Sequence, residues 1–253
     1  MSKEEKRAFF RRWKLIAPDD ERVFILSKLI EERSEMLGAV IYGMQRSGKT
    51  MYSLLVMYDL YEDWDKVLDN VFFNLEDLIR AIKERVLTNF SASRQLKAIC
   101  WDDAGVHGSK YLFFRSKQLA EYLQNLFDVI GLAVKAILIT TPNPENLLKA
   151  VRGYEFLRVK IGKLNDGNRV AYGYKSILLP SGKMIVRKVF KDYYNVYIPN
   201  DVYKQYLEMR EQYLEEAVEN LEQFLKGKKW WRKGKYGSKE HETEEQSVVE
   251  WSV

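Results

Sequence analysis

Leu37-Gly38-Ala39-Val40-Ile41-Tyr42-Gly43-Met44-Gln45-Arg46-Ser47-Gly48-Lys49-Thr50 is the stretch that decides the fold. Its first six residues form a short, continuous apolar run with two β-branched members. A strand covered on both faces reads this way, because neither face needs polar residues. The residues after Thr50, from Met51 to Leu60, are good helix formers. The order is therefore strand, glycine loop, helix, and the loop fits the spacing GxxxxGK[ST].

That spacing has a physical purpose. Clustered phosphate charges can be cradled by backbone N–H groups only where the chain wraps closely, and Gly43 and Gly48 supply the space and the unusual dihedrals. A helix opening at Lys49 points the positive end of its dipole at the same place. Lys49 can reach the β- and γ-phosphates, and Thr50 offers a hydroxyl to Mg²⁺. The expected nucleotide-binding set is Gly43, Met44, Gln45, Arg46, Ser47, Gly48, Lys49, Thr50 and Met51.

Outward from the loop, three more apolar runs follow: Val71-Phe72-Phe73, Leu96 to Trp101, and Val134 to Thr140. Glu76–Leu87 and Ser116–Ile130 lie between them with helical periodicity. Alternating strands and helices predict a parallel sheet with right-handed crossovers. The second run ends in Trp101-Asp102-Asp103. A metal–nucleotide site needs a carboxylate at the C-terminal end of a neighbouring strand, so Asp102 is the candidate metal ligand beside Thr50. Asp103 is then the candidate to orient or deprotonate an attacking water. The third run ends in Thr140-Thr141, and Thr141 is the candidate to bond the γ-phosphate or the water, with Thr140 as the alternate. Arg152 and Arg158 are candidates for an arginine donated to a neighbouring copy, Arg152 favoured because it follows an expected helix from Glu145 to Val151.

After Gly153 the pattern changes. Phe156–Ile161, Arg169–Ile177 and Lys183–Phe190 read as strands separated by tight turns at 165–168 and 180–182, too short for helices, which predicts antiparallel pairing. Pro199-Asn200-Asp201 caps a long helix whose apolar stripe, Leu207, Leu214, Val218, Leu221 and Leu225, is expected to pack on the domain; a subunit contact is the alternative. The expected layout is a helical arm over 1–35, with Asp19 or Asp20 as N-cap, and a nucleotide-binding domain over 36–198 with an antiparallel extension from about 155. A C-terminal helix over 199–225 and a disordered tail over 226–253, basic then acidic, complete it. The fold class is α/β, with a mainly parallel five-stranded core sheet flanked by helices and extended by antiparallel strands and the long helix.

The 253 residues suit one substantial domain with appendages, and a hydrophobic fraction of 46% can bury a core. Lys and Arg number 41 against 36 Asp and Glu, a net +5 that permits an anionic partner without requiring one. A single cysteine, Cys100, and the two histidines, His107 and His241, leave no zinc set and no internal disulfide. With no apolar run long enough to span a bilayer and no signal-peptide pattern, a cytoplasmic location without a membrane partner is expected.

These segments resemble the P-loop ATPases of the AAA+ kind, in which an additional strand lies between the phosphate-loop strand and the acidic strand. Val71 to Leu78 resembles the second-strand segment of helicase-loader ATPases, Ile99 to Gly105 their acidic strand, and Ile137 to Thr141 their sensor strand. The whole chain is also similar to the small ATPases of crenarchaeal viruses and plasmids, especially those of spindle-shaped viruses. The resemblance implies ATP and Mg²⁺ as cofactors, hydrolysis by Lys49, Asp103, Thr141 and Arg152, and DNA, further copies of the chain and a replicative helicase or viral protein as partners. Strands replace the usual helical lid after the core, which keeps a DNA-packaging or translocating motor open as the second reading. A nucleotide-dependent switch without a DNA role is the third.

Overall fold

The computed structural model describes residues 22–89, 95–104, 117–147 and 156–227. Helix α1 (Ile25–Glu32) leads into β1 (Leu37–Tyr42), and the glycine loop leads into α2 (Lys49–Tyr61). A short α3 (Trp64–Leu68) precedes β2 (Val71–Phe72), α4 (Leu75–Arg85) and β3 (Ile99–Trp101). Then come α5 (Lys117–Val129), β4 (Ala136–Thr141), β5 (Leu157–Lys163), β6 (Arg169–Leu178), β7 (Met184–Tyr194) and α6 (Asn200–Gly227).

One seven-stranded sheet runs β2-β3-β4-β1-β5-β6-β7. Its first five strands are parallel, with β4 inserted between the phosphate-loop strand β1 and the acidic strand β3. The last two are antiparallel additions. This is the P-loop NTPase α/β fold with the expected extension. Strand β5 pairs antiparallel with β6, as expected, and joins the core as its fifth strand by pairing parallel with β1. The tight turn after β5 dictates its direction relative to β6 alone; the longer connection before it is free to cross over.

Helix α2 is apolar on nearly every side, and it is buried from Tyr52 to Leu60. On the opposite face of the sheet, Leu78 and Ile82 of α4 and Leu123 and Phe127 of α5 close over Trp101 and Ile139. The central strands are thus covered on both faces, which is why they read as continuous apolar runs.

The arm is less separate than its charged sequence implies. Phe24, Leu26 and Ile30 are fully buried. The N-terminus of α1 has no side-chain cap of its own. Instead Asp59 of α2 accepts from Val23 N at 2.9 Å and Phe24 N at 3.1 Å, and Asp192 of β7 accepts from Ile25 N at 2.9 Å. Two buried carboxylates from distant elements therefore satisfy the orphan donors of the first turn and favour its dipole. Burial pushes the Asp192 carboxyl above its ordinary value, and the Tyr52 hydroxyl at 2.6 Å pulls it back. Asp19 and Asp20 lie outside the described residues.

Chain contacts divide the molecule after Leu207, so α6 runs from one unit into the next. Of its aliphatic stripe, Leu207, Leu214 and Val218 are exposed, and the side chains of Leu221 and Leu225 lie outside the described ones. Val202 and Tyr206 are the buried pair, one turn apart. The aromatic residue, not the leucines, has the reach and the hydroxyl that its surroundings require. No helix among the described residues is long and apolar enough to cross a membrane.

Candidate nucleotide-binding site

The glycine loop takes the conformation its sequence demands. Gly43 has φ 157° and Gly48 φ 99°, the latter in the left-handed region that glycine tolerates. A Cβ at Gly43 would come within 3.0 Å of both Ile161 O and Ser47 Oγ. Arg46 also has positive φ, 58°, inside the loop, and is exposed together with Met44 and Gln45. Ser47 is buried, and its hydroxyl has no hydrogen-bond partner. Lys49 opens α2, is 7% exposed, and donates to Gly43 O at 3.2 Å and Met44 O at 3.0 Å. Those carbonyls hold the ammonium over the concave side of the loop. A tight loop with a buried cation and an unpaired buried hydroxyl fits a phosphate chain.

Asp102 is the hub beside it. The carboxylate is fully buried, and its Oδ1 accepts from Thr50 Oγ1 at 2.9 Å and from Thr140 Oγ1. Its Oδ2 accepts from the Tyr206 hydroxyl at 2.7 Å. Burial and then the adjacent Asp103 charge push the Asp102 carboxyl above its ordinary value, while the hydroxyls of Thr140, Tyr206 and Thr50 oppose that shift. Thr50 and Asp102 are thereby in direct contact. Asp103 follows in the left-handed region, φ 48°, half-buried, with its N–H on Thr140 Oγ1 at 2.9 Å. The structure brings Lys49, Thr50, Asp102, Asp103 and Thr140 to the C-terminal ends of β1, β3 and β4, where ligands of open α/β sheets bind.

Thr141, the last residue of β4, lies at the same edge, paired in register with Tyr42. Its hydroxyl accepts from Asn143 N at 3.3 Å and lies 3.1 Å from Asn143 O, shaping the turn after β4. The alternate, Thr140, holds the place at Asp102. Successive side chains of a strand point to opposite faces of the sheet, so choosing between them requires knowing to which face Asp102 turns. Of the helix expected from Glu145 to Val151, the described part is a 3₁₀ turn, Pro144–Asn146, with extended backbone at Leu147; residues 148–151 lie outside the described residues. Arg152, His107 and the tail after Gly227 lie outside the described residues. Arg158 lies on β5 opposite Val40. Met51 is half-buried in the first turn of α2. Among the described residues there is no cluster of His, Cys, Asp and Glu to hold a metal, and Cys100 is buried.

Three residues at the site carried no sequence signal. Tyr206, from α6, is one. Arg169 and Tyr194 are the others, a cross-strand pair on β6 and β7. Arg169 Nε donates to Ser47 O at 3.0 Å, and Tyr194 Oη donates to Gly48 O at 3.0 Å. The antiparallel extension therefore grips two successive carbonyls of the glycine loop from outside. We expect Arg169→Ala to weaken nucleotide binding about ten-fold and Tyr194→Phe somewhat less, through a looser loop rather than a lost ligand contact. Calorimetric titration with ATP checks this; unchanged affinity in both variants would mean the hairpin only abuts the loop.

The chain is 30% identical over 189 residues to the uncharacterized protein B-251 of Sulfolobus spindle-shape virus 1, across 68% of this chain and 73% of that one. It belongs to the B-251 family. It is also 31% identical over 156 residues to the uncharacterized protein ORF286 of Acidianus two-tailed virus, and spans about half of that protein, 52%. The relatives are thus proteins of archaeal viruses, as the resemblance implied. No protein-family model matches the chain. Solved structures similar to it include a DNA polymerase III gamma subunit-related protein from Thermotoga maritima, at 19% identity and TM-score 0.41. That match covers 56% of this chain and 46% of the other. Another is the N-terminal domain of zonular occludens toxin from Neisseria meningitidis, at 13% identity, TM-score 0.37, and coverage of 68% and 98% respectively.

Proposed function

We propose that this B-251 family member is a Mg²⁺-dependent ATPase that acts on DNA, in replication initiation or helicase loading of a virus or plasmid. The observation that carries the reading is the contact of Thr50 with Asp102, with Lys49 on the adjoining loop. Thr50 and Asp102 would hold Mg²⁺, which supplies charge neutralisation at the phosphates. Lys49 exchanges its loop carbonyls for phosphate oxygens when the triphosphate enters. Thr140 orders the chain at Asp103, whose carboxylate orients the attacking water and draws its proton. No described arginine other than the loop's own Arg46 and the outer clamp Arg169 has been placed at the site; Arg152 of a neighbouring copy is proposed to complete it.

The test is ATP turnover across a range of protein concentrations, with no DNA, single-stranded DNA or duplex DNA. The expected result is slow turnover alone, stimulation by single strands, and a specific rate that rises with protein concentration. Stimulation by duplex alone, with movement along it, would replace loading by a translocating motor. Turnover indifferent to both would leave a nucleotide switch with no DNA role.

A further inference from the structure

The face of the sheet turned away from α2 carries an unusual row. Register pairs Tyr42 of β1 with Lys160 of β5, Lys160 with Tyr172 of β6, and Tyr172 with Lys191 of β7. Residues paired in register point to the same side, so ring and cation alternate across four neighbouring strands, over roughly 14 Å at the usual strand spacing. A second row, Arg158, Tyr174 and Lys188, runs beside it. Lys160, Lys188 and Lys191 are exposed, and Tyr42, Tyr172 and Tyr174 half-buried. The ammonium of Lys191 lies 5.7 Å from the Tyr172 ring centre and 4.3 Å from that of Tyr193, and the ammonium of Lys188 5.8 Å from Tyr172.

Acids are scarce on the extension. Strands β5, β6 and β7 together contain eight Lys and Arg and a single acid, Asp192, which is buried beneath α1. By register Arg158, Lys160, Lys188 and Lys191 share the face of the row, and the other four basic residues lie on the opposite face. Lysines on β7 alone could be explained as protection of an edge strand. That explanation does not reach Lys160 or Tyr42, which lie on interior strands with neighbours on both sides. Solubility does not explain it either, since half-buried rings interleaved with cations are a costly way to wet a surface.

We infer that this Tyr42–Lys160–Tyr172–Lys191 face is a binding surface for single-stranded DNA, whose bases stack on the tyrosine rings while its phosphates take the lysines. Stacking of this kind tolerates any base, because every base has a π-face, and the cations track the backbone. The lysines already resting on the rings lose little when a base replaces them, since each cation moves to a phosphate within its own reach. Duplex DNA cannot present its bases to such a flat sheet face. The row ends at Tyr42, the residue before Gly43. The surface rests on the reading of this chain as acting on DNA, and gives that reading a location away from the nucleotide site.

The experiment uses the full chain and a fluorescein-labelled oligo-dT, followed by anisotropy at several salt concentrations, with ATP calorimetry on the same preparations. The double variant Lys160→Gln/Lys191→Gln is expected to bind the oligonucleotide at least ten-fold more weakly at low salt. Its log–log salt dependence should be shallower by about 1.4, the value for two phosphates of a single strand. Tyr172→Leu should lose about ten-fold, and Tyr172→Phe should keep wild-type affinity because it keeps the ring. All variants should keep wild-type ATP affinity, which also shows that they are folded. Unchanged oligo-dT affinity in both the lysine pair and Tyr172→Leu would overturn the assignment, as would tighter binding of duplex that ignores Tyr172→Leu. Loss of ATP binding by the wild-type protein, with the row still binding oligo-dT, would sink the ATPase reading and leave the surface standing.

Discussion

Lys49→Ala is expected to weaken ATP binding by a factor of about a hundred or more. The lysine is the only cation that opens the helix at the glycine loop, and it is buried against carbonyls of its own loop, Gly43 O and Met44 O. Replacing those partners with β- and γ-phosphate oxygens creates charge-assisted hydrogen bonds in a water-poor site, each contributing about 1.5–3 kcal/mol. Two such bonds correspond to a hundred-fold or greater loss of affinity. The loop itself should persist, because Gly43, Gly48 and the clamp from Arg169 and Tyr194 hold it independently of the side chain. Calorimetry with Mg-ATP gives the affinity and thermal melting reports the fold. Wild-type affinity in a folded Lys49→Ala protein would remove the phosphate-loop assignment.

The two acids after β3 should separate cleanly. Asp103→Asn is expected to bind Mg-ATP normally and turn it over about 100-fold or more slowly, since loss of a positioned base typically costs that much. The substitution keeps the backbone N–H of this residue on Thr140 Oγ1, so the turn retains that anchor. Asp102→Asn should behave differently in two respects. Its carboxylate accepts from Thr50 and Thr140 on one oxygen and from Tyr206 on the other. An amide keeps one acceptor oxygen and turns the second position into a donor, so one buried hydroxyl loses its partner at about 1–3 kcal/mol. The variant should melt lower and lose the Mg²⁺ dependence of nucleotide binding. Titrations with and without Mg²⁺, single-turnover rates and melting curves distinguish these outcomes; full turnover in both variants would show that the acidic strand has another purpose.

Much of this protein was legible from its residues alone. The phosphate loop, its flanking strand and helix, the acidic pair and the sheet with antiparallel additions all follow from local rules. Glycine spacing, apolar run length and turns too short for a helix act over a few residues, and chain neighbours enforce them. Tertiary structure decided the rest. Which threonine meets Asp102, the parallel entry of β5, and the choice of Tyr206 over the neighbouring leucine as the inward residue of α6 each depend on which face of an element meets another. The capping of α1 by Asp59 and Asp192, and the grip of Arg169 and Tyr194 on the loop, join residues far apart in the chain. A tyrosine in a strand or an arginine before one looks the same in sequence whether it faces water or a loop carbonyl, because hydrogen-bond partners are set by sheet order and register, which only the folded chain brings together.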